Sequence, residues 1–326
     1  MNSINPSKVL VTGGAGFIGS NLCDALILQG HQVVCLDNFA TGKRENIEHL
    51  LGNPLFELIE GDIRDVSTCA LACKGIEVVF HQAALGSVPR SIADPITSNN
   101  VNITGFVNML VAAKDHGVRR FIYAGSSSTY GDSEALPKME ENVGNPLSPY
   151  AVTKMVMEHY ARVFHKVYGI DTVGLRYFNV FGRRQDPEGA YAAVIPKFVM
   201  KFLKGESPVI NGDGNFSRDF TYIDNVIQAN LLAMNTTNQA ALNQVYNVAC
   251  GERTSLNEMV TLLKRYLSEF RPEVADVQVI HGQDRAGDIP HSLASIEKAK
   301  ELLGFRPTHM FEDGLRPALE YYLLHL

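Results

Sequence analysis

Residues 11–20 read Val11-Thr-Gly-Gly-Ala-Gly-Phe-Ile-Gly-Ser20, with Gly13, Gly16 and Gly19 spaced three apart. The stretch before it, Lys8 to Thr12, has the composition of a buried strand, and Phe17 to Gln29 has helical periodicity. A chain that turns this sharply from strand to helix needs glycine, and a side chain in the turn would block an approaching pyrophosphate. The N–H groups at the helix start, those of Phe17 and Ile18 among them, would face the phosphates with the positive end of the helix dipole. A glycine triplet alone is a weak signal. Here the following strand, Gln32 to Asp37, ends on a carboxylate. Asp37 can accept hydrogen bonds from a ribose 2′-hydroxyl and would repel a 2′-phosphate, which favours NAD over NADP.

Working outward, Leu55 to Glu60, Glu77 to His81, Arg119 to Ala124 and Thr172 to Tyr177 read as further strands, and Ile96 to His116 and Tyr150 to Tyr168 as helices. Strands alternating with helices predict an α/β fold, a doubly wound parallel sheet of Rossmann type. After Gly182 the character changes. Gly, Pro and Asn recur, with only short periodic segments until Ser255 to Phe270 and Ser295 to Leu303. The expected division is a dinucleotide domain over 1–181, extended by 219–250, and a smaller α/β substrate lobe over 182–218 and 251–326.

The 326 residues carry a net charge of −6 with no Lys/Arg stripe, so no nucleic-acid footprint is expected. There is no apolar run of 18 residues to span a membrane, and the first residues lack the features of a secretory signal. Cys23, Cys35, Cys69, Cys73 and Cys250 are odd in number and suggest neither a disulfide framework nor a metal site. The chain reads as cytoplasmic.

Two later segments fit the dinucleotide site. Gly61-Asp62-Ile63 follows the third strand and offers a carboxylate to an adenine edge. His81-Gln82-Ala83-Ala84 ends the fourth with small residues that admit a cofactor; His81 itself reads as a packed histidine. The segment Ser148-Pro-Tyr-Ala-Val-Thr-Lys154 then puts Tyr150 and Lys154 one helical turn apart. A free phenol titrates near 10 and is a poor base, and an adjacent ammonium together with a cationic cofactor ring would bring it down. Hydroxyls at Ser126, Ser127 and Ser128 follow the strand ending near Ala124, at the sheet edge where ligands bind.

The glycine loop, the serine run ending in Tyr130-Gly131, the Tyr150-to-Lys154 motif and Arg176-Tyr-Phe-Asn-Val-Phe-Gly182 together resemble the extended short-chain dehydrogenase/reductase family. Within it, the chain is similar to the UDP-N-acetylglucosamine 4-epimerases of bacterial surface-polysaccharide pathways. The resemblance implies Tyr150 as general base and acid, Lys154 as its helper and Ser126 as the catalytic hydroxyl. It adds Asn38, Asn100 and Tyr177 to the NAD contacts. Ser127 and Ser128 would line the sugar pocket, Asn179 would hold the diphosphate, and Arg218 and Arg285 would clamp it. Dehydrating relatives carry an Asp-Glu pair after the catalytic threonine and decarboxylating ones a glutamate. Serines stand there in this chain, so epimerisation through a 4-keto sugar is the implied reaction. Ser292 replaces a tyrosine that crowds C2 in UDP-galactose epimerases. With Gly86 and Ser87, it implies preference for UDP-GlcNAc and UDP-GalNAc. A uronate sugar, with Arg90 as candidate cation, is the alternative substrate. A non-enzymatic NAD sensor is the alternative of another class, disfavoured by the intact tyrosine and lysine. The family also implies a homodimer through a four-helix bundle formed by the helices expected at Ile96 to His116 and Tyr150 to Tyr168.

Overall fold

A computed structural model describes residues 6–187, 193–283 and 290–325. Seven parallel strands make one sheet: β1 (Lys8–Thr12), β2 (Gln32–Asp37), β3 (Phe56–Glu60), β4 (Val78–His81), β5 (Arg120–Ser126), β6 (Asp171–Tyr177) and β7 (Gln244–Val248). Their spatial order is β7-β6-β5-β4-β1-β2-β3. Leu10 of β1 stands in register with Val34 of β2 on one side and Val79 of β4 on the other. The winding direction reverses between β1 and β4, and there the strand ends part to leave a crevice.

The described helices are α1 (Phe17–Leu28), α2 (Val66–Cys73), α3 (Val88–Ala93), α4 (Pro95–Asn99), α5 (Gly105–Asp115), α6 (Pro149–Tyr168), α7 (Val194–Leu203), α8 (Ile223–Asn235), α9 (Leu256–Phe270), α10 (Glu297–Leu303) and α11 (Phe311–His325). Both sheet faces are covered. Val9, Val11, Val78, Phe80 and Ile122 pack with Leu22 and Leu26 of α1 and Val226 of α8. Leu10, Val79, Phe121 and Tyr123 pack with Phe106 and Met109 of α5 and Met157 and Phe164 of α6. Burial on two faces is why these strands read as unbroken apolar runs. Each buried Phe or Leu contributes roughly 1.5–3 kcal/mol, so packing, more than helix propensity, holds the layers.

Two expectations are corrected. The helix foreseen from Ile96 to His116 is α4 and α5 joined by a wider π turn over Asn100–Thr104. Such turns displace side chains from a regular helical face, and this one borders the crevice. The stretch after Gly182 is also more regular than its sequence suggests. It contains α7 and α8, of 10 and 13 residues, and the seventh strand β7, which pairs with β6. Helix α8 hides its period because Asn225 and Asn230 are buried among its apolar residues. Short pairs complete this half: Val180–Phe181 with Thr221–Tyr222, Ser217–Arg218 with Thr254–Ser255, and Val209–Asn211 with Ile280–Gly282. Among the described residues no helix is long and apolar enough to cross a membrane.

Candidate active site

The glycines shape the crevice by what they exclude. Gly13 turns with φ +67°, and a Cβ there would lie 2.8 Å from the backbone of Ala83. A Cβ on Gly19 would sit 2.1 Å from the Gly13 carbonyl oxygen. Gly16 starts α1 with no side-chain cap and no acidic residue in the first turn. The amides of Phe17 and Ile18 therefore remain available to an anion. Gly13, Gly16, Phe17, Ile18 and Gly19 line one wall of a cleft of about 370 Å³, with Asp37, Asn38, Asp62, Ile63, Gln82, Ala83, Ala84 and Gly86 around it. Leu36, Ala40, Thr41, Gly42, Gly61, Arg64, Leu85, Thr97 and Val101 line it too and were not foreseen. Gly61 belongs to the Gly61-Asp62-Ile63 segment and Arg64 pairs with Asp62, while the others are apolar or small side chains with no motif of their own.

Asp37 has two tasks. It lines the cleft and accepts from the amides of Ala15 (2.9 Å) and Phe39 (2.8 Å), bracing the glycine loop. Burial pushes its carboxyl up, and those amides pull it back. At the other end, the Arg64 guanidinium holds Asp62 down at about 2, and the Asn38 amide donates to it at 2.8 Å. Tyr177 does not line the cleft. Its hydroxyl donates to Gln82 (3.2 Å) and accepts from Asn230 (2.9 Å), while Gln82 donates to Asn230 (3.3 Å), so the three fix one another. Asn100 is exposed and outside the lining, on the π turn, while its neighbours Thr97 and Val101 are inside it. His81 is fully buried, bonded through Nδ1 to Thr12 (3.0 Å) and packed on Phe106 and Phe121; burial holds it at about 3, a packed neutral imidazole.

The next strand end along the sheet carries the hydroxyl cluster. Ser126 closes β5, and its oxygen accepts from the Ser128 amide (3.1 Å) and is bonded by the Ser128 hydroxyl (2.9 Å). That leaves the Ser126 proton free to face Tyr150, whose phenol the Ser126 hydroxyl pulls down. Ser148 caps α6 by accepting from the Ala151 amide (3.1 Å), and Pro149 supplies the first helical residue. Tyr150 thus sits in the first turn, its amide donating to the buried Ser91 hydroxyl (3.0 Å). Lys154 is buried one turn on, its Nζ 2.8 Å from the Ala124 carbonyl and 5.8 Å from the Tyr150 ring centre. In the fold burial raises the Tyr150 phenol, and the Ser126 hydroxyl opposes that rise.

Asn102 was missed. From the π turn its side chain accepts from the Leu85 amide (2.8 Å) and donates to the Leu85 carbonyl (3.2 Å) and the Thr153 hydroxyl (3.1 Å). It therefore ties the loop carrying Gly86 and Ser87 to α6. A polar residue amid apolar ones in this stretch was the available sign.

On the lobe side, the Asn179 amide donates to the Asp219 carbonyl (3.0 Å). Ser217 donates to the Pro290 carbonyl (3.0 Å), and the Ser292 amide returns a bond to Ser217 (3.0 Å), which sets Ser292 beside Arg218. The Arg218 guanidinium meets the carbonyls of Ser217 (3.0 Å) and Pro290 (3.2 Å). Ser87 and Asn179 both hold positive φ, +95° and +32°, a strain of about 1–3 kcal/mol each that clusters at working sites. Asp219, also missed, is fully buried and accepts from the amides of Cys250, Gly251 and Ala294, yet burial lifts it to about 7. Arg285 lies outside the described residues. Among those described, no group of His, Cys, Asp or Glu could hold a metal ion, and all five cysteines are free and buried.

The sequence matches the NAD dependent epimerase/dehydratase family over residues 9–249. The chain belongs to that family. Its cofactor is NAD, which the glycine cradle, the uncapped α1 and the Asp37 carboxylate suit. It is 38% identical to a putative UDP-glucose 4-epimerase of Methanocaldococcus jannaschii, over 96% of this chain and 97% of that one. The solved UDP-N-acetylglucosamine 4-epimerase from Methanobrevibacter ruminantium M1, in complex with UDP-N-acetylmuramic acid, is 38% identical with a TM-score of 0.92, covering 99% of this chain and all of that one. The UDP-glucuronic acid 4-epimerase of Bacillus cereus is 33% identical, with a TM-score of 0.88 over 98% and 100% of the two chains.

Proposed function

We propose that this enzyme interconverts UDP-GlcNAc and UDP-GalNAc by inverting C4 through a 4-keto sugar. The observation that carries the reading is the grouping of Ser126, Tyr150 and Lys154 at one strand end, with serines where a second acid or base would have to stand. NAD, held by the glycine cradle and Asp37, would supply a hydride acceptor and donor for C4 and a cationic ring. Tyr150 takes the O4 proton and later gives it back. Ser126 donates to the phenolate or to O4, and its bonds to Ser128 fix its direction. The first turn of α6 and the Lys154 ammonium favour the charged phenolate that burial disfavours. Ser127 and Ser128 can neither abstract a proton at C5 nor protonate a leaving hydroxyl, which argues against dehydration and decarboxylation.

Asn179 and Arg218, with Arg285, are the proposed diphosphate contacts, since guanidinium groups bind such oxygens in pairs. Ser292, held beside Arg218, leaves room at C2 for an acetamido group. The likeness to the Methanobrevibacter ruminantium enzyme supports this substrate class. Val152, Tyr160, Val163 and Val167 form an exposed apolar stripe on α6, the face on which we place pairing of two copies. The test of substrate is proton NMR of the purified protein, without added cofactor, given UDP-GlcNAc, UDP-Glc or UDP-GlcA separately. The reading expects UDP-GalNAc to appear fastest. Faster turnover of UDP-GlcA would keep the mechanism and overturn the sugar.

A further inference from the structure

We propose that Glu158 and Arg176, a buried ion pair behind the catalytic helix, are positioning residues that keep Lys154 a cation. This rests on the assignment of Tyr150 and Lys154 above. Helix α6 sets Lys154 and Glu158 four residues apart on its buried face, 2% and 6% exposed. The Lys154 ammonium donates to a neutral acceptor, the Ala124 carbonyl. An ammonium taken from water with so little compensation tends to lose its proton, and burial does bring Lys154 down to about 8. The charge that opposes this is Glu158.

A buried carboxylate would itself protonate if unpaired. Arg176 of β6 prevents that with two bonds, Nε to Oε1 at 2.8 Å and Nη2 to Oε2 at 2.7 Å. Its third nitrogen donates to the Glu140 carbonyl (3.0 Å), and its guanidinium lies 4.9 Å from the Tyr130 ring centre. Tyr130 is pinned in turn by its 2.6 Å bond to Asn247. With every side occupied, the guanidinium has one place to be. The titratable groups facing the pair are Tyr123 of β5, Lys298 of α10, Tyr130 and Glu140, with Glu140 acting on Arg176 and Lys298; those facing Lys154 are His81 of β4 and Tyr150 of its own helix. Neutral His81 and the phenols supply no anion to replace Glu158.

The test is the pH profile of kcat for UDP-GlcNAc in the native holoenzyme, Glu158→Gln, Arg176→Met and the double variant Glu158→Leu/Arg176→Met. Loss of the carboxylate, or of the arginine that keeps it ionised, should move the alkaline limb down by about one pH unit. At pH 8 kcat should drop by about fivefold, approaching about tenfold at higher pH, with KM within about twofold. The double variant removes both members of the ion pair together and leaves neither Glu158 nor Arg176 buried without its partner, so it guards against a single variant that fails to fold. The same shift should appear without turnover in the ε-carbon resonance of Lys154 in 13C-lysine-labelled protein, assigned with Lys154→Arg. A native alkaline limb and a native Lys154 titration in the folded variants would overturn the inference and leave the pair a stabilising one. Tyr150→Phe is measured alongside: full activity there sinks the catalytic assignment itself, whereas an inactive Tyr150→Phe with an unmoved limb sinks only this proposal.

Discussion

The glycine-loop wall of the cleft comes from one contiguous stretch, β1 into α1, in which neighbouring backbone limits what Gly13 and Gly19 can carry. The proposed sugar contacts, Ser126, Asn179, Arg218 and Ser292, are scattered along the chain, and long-range bonds hold two of them, Ser292 to Ser217 and Asn179 to Asp219. The first wall is fixed by what cannot fit; a Cβ on Gly19 would sit 2.1 Å from a carbonyl oxygen. The second is fixed by backbone pairing that leaves side chains exchangeable. A family can therefore keep its cofactor chemistry while changing its sugar.

That contrast is open to attack by substitution. The largest effect is expected where the walls meet. Tyr150→Phe removes the proton acceptor and should lower kcat by about 10²–10⁴-fold, with NAD content unchanged, as read by NMR turnover and by assay of released cofactor. In the cradle, Gly19→Ala should cost about 1–3 kcal/mol of overpacking and leave the purified protein depleted of NAD. A variant as stable and as NAD-loaded as the native protein would show that the loop yields. On the sugar side, Ser292→Tyr should reduce turnover of UDP-GlcNAc relative to UDP-Glc by about 10–100-fold while Tm stays put. Unchanged selectivity would refute the gatekeeper.

The smallest effect concerns the brace under that wall. Asp219 is raised to about 7 in the fold from an ordinary 3.8, so the folded state binds its proton more tightly than the unfolded chain does. The stabilisation from that proton is complete below the ordinary value and is lost as pH rises through about 7. The stability advantage of the native protein over Asp219→Asn should therefore shrink between pH 5 and pH 8 in thermal melts. An advantage that grows over that range would mean that the amides of Cys250, Gly251 and Ala294 outweigh burial.

The contrast also explains what could be read from sequence. Strands β1 to β6 declared themselves by apolar runs, and the glycine loop by local geometry that any chain must obey. Tyr150 and Lys154 were legible because one helical turn separates them. Asn102 and Asp219 were not, because each acts on groups distant in sequence, the Leu85 backbone and the Thr153 hydroxyl in one case and the amides of Cys250, Gly251 and Ala294 in the other. Helix α8 escaped for a related reason: its buried Asn225 and Asn230 satisfy distant partners and blur the apolar period. The opposing pulls on Tyr150 were invisible too, since burial is a property of the fold.

The central claim is that C4 loses and regains its own hydrogen on one enzyme. The most direct measurement is the fate of deuterium in UDP-GlcNAc labelled at C4, incubated with the protein in ordinary water and followed by NMR. The account predicts UDP-GalNAc with the deuterium still at C4 and none released. Epimerisation accompanied by washout of the label into solvent would contradict it.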